Sequence, residues 1–436
     1  TSGTYNDLYK ADRASVYEYI IMTLEKAMEL LPKQTSGWNG RIDYYAAEAL
    51  LAKVYLTRAG LSGALNPEDL QKAATYAEDV ILNSGRTLTP KYSDIFRLSP
   101  SVYNATGESL ISWQWESGSG RWTAQNTLQS DLCFEGFSEF GDLWGGWGGP
   151  SYDLALAFGV DPVEGPAALA NEKDARRKAT LMMAGDVYEY FWTTKTTKTG
   201  NKGFDYLYFL YSGDTDYASY GVPAQFEGPC GSQNVKHLFG DGADHEAALG
   251  VSAARMSYQL PTHLLRMGDV YLIAAEAYLL GGNDAKAKEY VNAVRARAGV
   301  DALATVTFQD IWKERRLELA GEGDYWYDFV RRSYYAMDDA IEELLAQKRN
   351  QLYSYDAVCA DYFEGATVGA GDKMDYSACE WNPDPSVTFY NTDTPAPNVT
   401  ASVFTLPFPQ EDVVYNPNLL EPAVEVDVRA TYVYNF

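Results

Sequence analysis

The chain has 436 residues, and 60 acidic against 35 basic side chains give it a formal net charge of −25. A surface this acidic repels phosphate backbones and anionic lipid headgroups, which disfavours nucleic-acid binding and is compatible with a neutral ligand or a cationic partner. No uncharged apolar run is long enough to span a bilayer, and four cysteines without a CxxC pair are too few for a disulfide scaffold.

The first part of the chain is predicted to form three helices. Ser15 and Glu18 have the spacing of a capping box at the start of the first, and Asn66 and Pro67 suit the N-cap and the first position of the third. The second and third are rich in alanine, which lets backbones approach closely, so we expect a helical hairpin like that of a tetratricopeptide repeat. The predicted helices occupy residues 13–32, 41–60 and 66–85.

The region from about residue 100 to residue 260 has a different composition. It is rich in Gly, Ser, Thr, Asp and aromatic residues, and its helical periodicity is weak apart from SYDLALAF and DARRKATLMM. The segment ESLISWQW, which begins at Glu108, alternates enough to predict a short strand, and FDYLYFLYS, from Phe204, is a second candidate strand. Another irregular region runs from about Gln351 to Ala401.

The helical pattern returns downstream. A helix predicted over residues 265–282 is followed by one that begins after Asn283 and ends at Gly299, and Thr307 is the predicted N-cap of a third. Helix pairs of this kind cannot bury their apolar faces alone. The two helical blocks must therefore meet in space despite the long region between them.

Four segments resemble the SusD/RagB family of outer-membrane nutrient-binding lipoproteins of Bacteroidetes. They are RIDYYAAEALLAKVYLTRAG, LRMGDVYLIAAEAYLLGG with NAVRARAG after it, ERRLELAGEGDYWYDFVRR, and the proline-rich FTLPFPQEDVVYNPNL near the end. Their order and approximate spacing also match. The resemblance implies a mostly α-helical, tetratricopeptide-like scaffold with large irregular loop insertions, folded as a single domain over residues 1–436.

Within that domain, the helical scaffold is expected at residues 13–85 and 263–349. The loop-rich insertions, at 98–262 and 350–401, are where we expect the ligand site, because binding residues are usually carried on loops that a rigid scaffold positions. Family members usually begin with a lipoprotein signal, a lipidated cysteine and further helices. We expect that this N-terminal segment of the family is absent from the chain.

The resemblance also implies a function. Family members bind oligosaccharides, less often peptides, at the cell surface, and cap a SusC-like TonB-dependent transporter of the outer membrane, to which they deliver the ligand. We therefore expect no enzymatic activity, no cofactor, no metal and no nucleic-acid partner, with membrane attachment only through a lipid anchor not present in this chain. Peptide binding, a protein-interaction repeat scaffold and a glycoside hydrolase stay open as alternatives.

The charged and cysteine-containing patterns are interpreted as structural. Glu314, Arg315, Arg316 and Glu318 alternate in sign at helical spacing, which favours an ion-pair network over a carboxylate active site. The acidic turns GDTDY and GDGADHE lack EF-hand spacing, so solvated loops are favoured over calcium sites. Small buried thiols are favoured over a disulfide for the cysteines.

The segment FGDLWGGWGGPSYD raises the question of why two tryptophans stand among glycines. An indole stacked on the C–H face of a sugar buries apolar surface worth about 2 kcal/mol, and neighbouring glycines leave the ring accessible. Two or three such platforms could hold an oligosaccharide, although each tryptophan could instead pack between insertion and scaffold. The predicted ligand-binding residues are Trp144, Trp147, Trp115, Trp122, Tyr152, Asn126 and Arg121. The aromatic residues Trp312, Tyr325, Trp326 and Tyr327 are predicted to pack in the core.

Overall fold

A computed structural model describes most of the chain. Helices predominate in it, and its short strands are paired in twos. The described residues are 8–98, 107–116, 126–134, 136–138, 149–170, 172–217, 231–253, 258–349, 355–382 and 398–434.

The three N-terminal helices form as predicted, with one different cap. Asp12, not Ser15, begins the first helix, and its carboxylate accepts a hydrogen bond from the Ser15 N–H at 2.7 Å. Asp43 and Asn66 cap the next two through their side-chain oxygens. The helices are α1 (Arg13–Leu30), α2 (Tyr44–Arg58) and α3 (Pro67–Asn83).

The first insertion contains one pair of five-residue strands and several shorter elements. The strand predicted in ESLISWQW is present and pairs antiparallel with a second strand, with Trp113 opposite Thr262. The strand predicted for FDYLYFLYS is wrong beyond its first two residues, because the Asp205 carboxylate accepts from the Tyr208 N–H at 3.1 Å and starts a helix. The elements are β1 (Ser109–Trp113), α4 (Leu128–Leu132), α5 (Tyr152–Ala157), α6 (Pro166–Leu169), α7 (Ala175–Thr180), β2 (Leu181–Met182), β3 (Val187–Tyr188), β4 (Phe204–Asp205), α8 (Tyr206–Tyr211), β5 (Gln233–Asn234), α9 (Gly242–Leu249) and β6 (Thr262–Arg266).

The second helical block follows β6 directly. Its predicted boundaries are confirmed where the chain has strong caps: Asn283 caps one helix, Gly299 ends it with φ +79°, and Thr307 forms a capping box with Asp310. The elements from here to the end are α10 (Met267–Leu280), α11 (Asp284–Ala298), α12 (Phe308–Leu319), α13 (Asp324–Ser333), α14 (Met337–Ala346), α15 (Asp356–Glu364), β7 (Thr367–Val368), β8 (Met374–Asp375), α16 (Gln410–Tyr415) and α17 (Val428–Thr431).

The two helical blocks share one apolar core, as predicted. Helix α10 packs against α2 and α3, and Ala77 on α3 and Ala274 on α10 are both fully buried in the shared core. The Tyr278 hydroxyl donates to the carboxylate of Glu78 at 2.6 Å, which adds a polar tie between α10 and α3. Small side chains at the contact allow the close helix approach that the alanine-rich sequence indicates.

The first insertion has a core of its own, built from aromatic rings. Trp192 is fully buried, lies 4.8 Å from Phe204 in an edge-to-face arrangement, and donates from Nε1 to the carbonyl of Phe137 at 3.0 Å. Edge-to-face packing of this kind contributes beyond the buried area alone. The insertion is therefore a packed unit on the scaffold, and much of the high aromatic content lies in this core.

The structure describes three of the four cysteines, and it shows the length and polarity of the described helices. Cys133 and Cys359 are buried thiols and Cys379 is a half-buried thiol, and these three described cysteines form no disulfide, as the favoured interpretation expects. Cys230 lies outside the described residues. Within the described ranges, each helix is too short or too polar to cross a membrane.

Candidate functional site

Four of the predicted ligand-binding residues lie outside the described residues. These are Trp144, Trp147, Trp122 and Arg121. Their assignment to the ligand site stays a prediction from the composition of their loops.

Trp115 is described, and it lies just after strand β1. Its Nε1 donates to the Thr262 hydroxyl on β6 at 3.0 Å. Trp113, the last residue of β1, is 57% exposed, and its ring centroid lies 6.2 Å from that of Trp115 with the planes at 82°. An exposed indole supported by the edge of a second, hydrogen-bonded indole forms a fixed apolar platform. Sequence reasoning missed Trp113, although side chains two positions apart on a strand share a face and ESLISWQW carries that signal.

Asn126 and Tyr152 are buried. The Asn126 amide donates to the carbonyl of Leu260 at 3.2 Å and is 2% exposed. The Tyr152 hydroxyl donates to the Asp161 carboxylate at 3.1 Å, and the residue is 5% exposed. Both side chains bind other parts of the protein in this structure, and their predicted contact with a ligand stays a prediction.

A cavity of about 510 Å³ opens where the first insertion meets α12 and α13. Gly149 and Ser151, from the described end of the glycine–tryptophan segment, line one side of it, and Tyr325 and Trp326 line another. The volume falls within the range of about 300–1,000 Å³ that is typical of ligand sites. The structure thus brings the end of the segment singled out in the sequence beside aromatic residues that sequence reasoning assigned to packing.

The packing predicted for the aromatic run on α13 is only partly correct. Trp326 stacks on Phe404 with centroids 5.8 Å apart, yet it is 43% exposed, and Tyr327 is 69% exposed. Trp312 on α12 is buried as predicted. The prediction is wrong for Tyr327 and for part of Trp326 because consecutive residues on a helix point in different directions and cannot all face one core.

The charge cluster on α12 is a buried ion-pair network, as predicted. The carboxylate of Glu318 is fully buried and pairs with Arg176, Arg266 and Arg297. Burial would raise the pKa of Glu318, but the three arginines outweigh it and hold that pKa well below its usual value. A carboxyl group held ionised in this way cannot act as a general acid near neutral pH.

The acidic turns bind the protein's own groups, so the prediction that they are solvated is wrong. The Asp244 carboxylate accepts from the N–H groups of Trp192 and Thr193, each at 2.7 Å, and Asp214 accepts from the Tyr208 hydroxyl at 2.9 Å. These carboxylates satisfy buried donors of the aromatic core. Within the described ranges, no group of His, Cys, Asp and Glu side chains is arranged to hold a metal ion.

Known proteins are similar to this chain in sequence and in fold. A SusD-like protein of Bacteroides ovatus is 32% identical over 416 residues, which cover 94% of this chain and 66% of that protein. SusD-like protein P2 of Formosa agariphila is 26% identical over 341 residues, which cover 74% of this chain and 57% of that relative. The chain therefore spans about two thirds or less of the length of these curated relatives.

A solved structure gives the same result for the fold. A crystal structure with xylogluco-oligosaccharide matches with a TM-score of 0.67 and 28% identity over 98% of this chain and 74% of that chain. The SusD family model matches residues 159–422, which include α10 to α14 and most of the first insertion. The mostly helical fold and the family resemblance are thereby confirmed. With more than half of its length matched by the family model, the chain belongs to the SusD family.

Proposed function

We propose that this protein binds oligosaccharides at the bacterial cell surface and delivers them to a SusC-like TonB-dependent transporter. Membership of the SusD family supports the proposal, as does the likeness to a structure that contains xylogluco-oligosaccharide. In the full-length protein, a lipid anchor would hold it to the outer membrane. The chain itself performs no covalent chemistry in this proposal, in keeping with the ion-paired carboxylates of Glu314 and Glu318 on α12.

The observation that carries ligand binding is the exposed indole of Trp113 beside Trp115. Trp113 ends a strand whose pairing with β6 fixes its position, so little side-chain freedom is lost when a ligand binds. Stacking a sugar face on such a ring buries apolar area worth about 2 kcal/mol. One platform of this strength gives weak binding. Further aromatic groups from the insertion would increase the affinity to the micromolar range.

The proposal is tested by native affinity electrophoresis through gels that contain different polysaccharides. The wild-type protein should be retarded by at least one neutral polysaccharide, and Trp113→Ala should lose most of that retardation. Tyr415→Ala is the control for the loss of an exposed aromatic ring, because Tyr415 is 70% exposed on α16, outside both loop-rich insertions. Its retardation should equal that of the wild type.

Other outcomes distinguish the alternatives. Retardation that Trp113→Ala leaves unchanged would remove this platform from the ligand site. A folded protein that no polysaccharide retards, but that binds a peptide library, would favour peptide ligands. New reducing ends released from a bound glycan would show hydrolysis and contradict the absence of covalent chemistry.

A further inference from the structure

The cavity between the first insertion and α13 has an unusual charge for this protein. The chain carries a net charge of −25, yet the charged side chains among the described residues that line the cavity are both arginines, Arg316 and Arg349. A local excess of positive charge on a strongly acidic protein concentrates anions at that position.

The two arginines differ in how they are held. Arg316 is mostly buried and pairs with Asp153, whose other carboxylate oxygen accepts from the N–H of Lys348 at 2.8 Å. Arg349 is exposed, and across the described residues no carboxylate lies within ion-pair distance of it. Among the described residues, one carboxylate thus faces two guanidinium groups, which leaves one positive charge uncompensated.

Both arginines lie against the same aromatic ring. The guanidinium carbon of Arg316 lies 5.1 Å from the ring centroid of Tyr325, and that of Arg349 lies 5.9 Å from it. The Tyr325 hydroxyl is held by the Gln347 amide at 3.0 Å. Although the Arg349 side chain is exposed overall, desolvation of its guanidinium group and the positive charge of Arg316 lower its pKa more than Tyr325 and Asp153 raise it, so an added anion would relieve repulsion between the two arginines.

The remaining wall of the cavity suits a sugar ring. Trp326 has one face against Phe404 and is 43% exposed. Gly149 and Gly323 contribute backbone without side chains, and a side-chain carbon at Gly323 would meet nothing within 4 Å. An aromatic face, open backbone and a guanidinium fork are the groups that bind a saccharide carrying a negative charge.

We infer that this cavity binds an acidic saccharide, whose carboxylate or sulfate ester is received by Arg349 and Arg316 and whose ring packs on Trp326. The inference rests on the proposed function and makes its ligand class more specific. It also separates two surfaces: the platform at Trp113, which suits neutral sugar faces, and this cavity, which selects for charge.

Isothermal titration calorimetry with two pairs of probes tests the inference. One pair is trigalacturonate and its fully methyl-esterified form, and the other is a κ-carrageenan tetrasaccharide and its desulfated form. At least one acidic probe should bind about tenfold more tightly than its uncharged counterpart, because a charge-assisted hydrogen bond adds that much. The acidic member that binds identifies the source of the charge, and its affinity should fall with added salt.

Variants of Arg349 test whether the preference for the acidic probe arises at this cavity. Arg349→Gln should remove most of the preference for the acidic probe, and Arg349→Glu should reverse it. Arg41→Gln removes the same charge from an exposed position in the segment before α2 and should bind like the wild type. Arg349 is exposed and forms no ion pair with the described residues. Its variants should therefore have the same melting temperature as the wild type.

Two results would overturn the inference. Equal affinity for the acidic and uncharged members of both pairs would do so, while Trp113-dependent retardation by a neutral polysaccharide would leave the proposed function intact. A charge preference that survives in both Arg349 variants would place the acidic site elsewhere. Failure of every saccharide, neutral or acidic, to bind the folded protein would reject the inference together with the proposed function.

Discussion

The guanidinium of Arg266 and the carboxylate of Glu322 form two parallel hydrogen bonds. Nε donates to Oε2 and Nη2 donates to Oε1, each at 2.7 Å, and the two side chains are 1% and 4% exposed. Arg266 is the last residue of β6, and Glu322 lies in the turn between α12 and α13. The pair therefore joins the end of the first insertion to the second helical block.

Substitution of Glu322 by Gln should destabilise the fold strongly. The change leaves Arg266 and Lys236 buried without the carboxylate that both contact. Loss of one partner from a buried ion pair costs about 3–5 kcal/mol, which urea denaturation at pH 7 would measure as a loss of unfolding free energy. Asp339→Asn is the control: Asp339 is 64% exposed and 3.3 Å from Arg332, and its loss should cost about 1 kcal/mol or less. Equal losses of unfolding free energy in the two variants would contradict the assignment of Glu322 to a stabilising buried ion pair.

The Glu322 carboxylate should make the free energy of unfolding depend on pH in the acidic range. Burial would raise the pKa of Glu322, but Arg266 and Lys236 lower it from 4.5 to about 2. Since the folded state holds the proton less tightly than the unfolded state, the stabilisation is complete above pH 4.5 and is lost as the pH falls toward 2. Urea midpoints measured from pH 6 to pH 3 should therefore fall, and fall less steeply in Glu322→Gln. Parallel slopes for the two proteins would rule Glu322 out as a source of the acid sensitivity.

Glu48 on α2 should have the opposite pH dependence. It is 2% exposed, its Oε2 has no hydrogen-bond partner, and burial together with the nearby Asp79 raises its pKa from 4.5 to about 8. The folded state prefers the protonated form, so this site loses stability as the pH rises from 4.5 to 8. Glu48→Gln, which is neutral throughout, should be about 1–3 kcal/mol more stable than the wild type at pH 8.5 and similar to it at pH 4. Thermal melts at the two pH values provide the comparison, and a constant offset between them would disprove the titration of Glu48.

The close contact of α3 with α10 can be tested by overpacking. Ala77→Leu adds volume at a fully buried position on α3, in the core that α3 shares with α10, which should cost about 1–3 kcal/mol. Ala285→Leu, on the exposed side of α11, adds the same volume without crowding and should change the unfolding free energy by about 0.5 kcal/mol or less. If the two variants were equally stable, the helices would be less tightly packed than the structure shows.

The helical scaffold could be predicted because its determinants are local. Asn66 with Pro67, Asn283 with Gly299, and Thr307 define helix ends through backbone capping within a few residues. The cap of α1 was misplaced at Ser15 because Asp12, three residues earlier, offers an equally good acceptor. Local signals therefore predict reliably that a helix is present, and they predict its first residue less accurately.

The insertions were harder to predict because their structure depends on distant contacts. The helix α8 begins where Asp205 caps it, and its aromatic side chains gain burial in a core shared with Trp192 and Phe134. The acidic turn at Asp244 looked solvated because its donors, Trp192 and Thr193, lie far away in sequence. Helical geometry dictates that the consecutive aromatic residues of α13 cannot all face the core, but which of them does so depends on how the helix packs, and Trp326 is left 43% exposed.

The pairing of β1 with β6 has a consequence for how the family diversifies. Trp113 and Thr262 lie opposite each other, so the chain leaves the scaffold and returns to it at adjacent points. The described residues between them have an aromatic core of their own, but Arg176 and Lys236 of this segment also form buried ion pairs with Glu318 and Glu322 of the second helical block. A chimera that carries the corresponding segment of another family member between positions 113 and 262 should fold only if the donor segment supplies cations that pair with Glu318 and Glu322. An exchange of ligand specificity between family members is therefore tied to the stability of the scaffold through these buried cations.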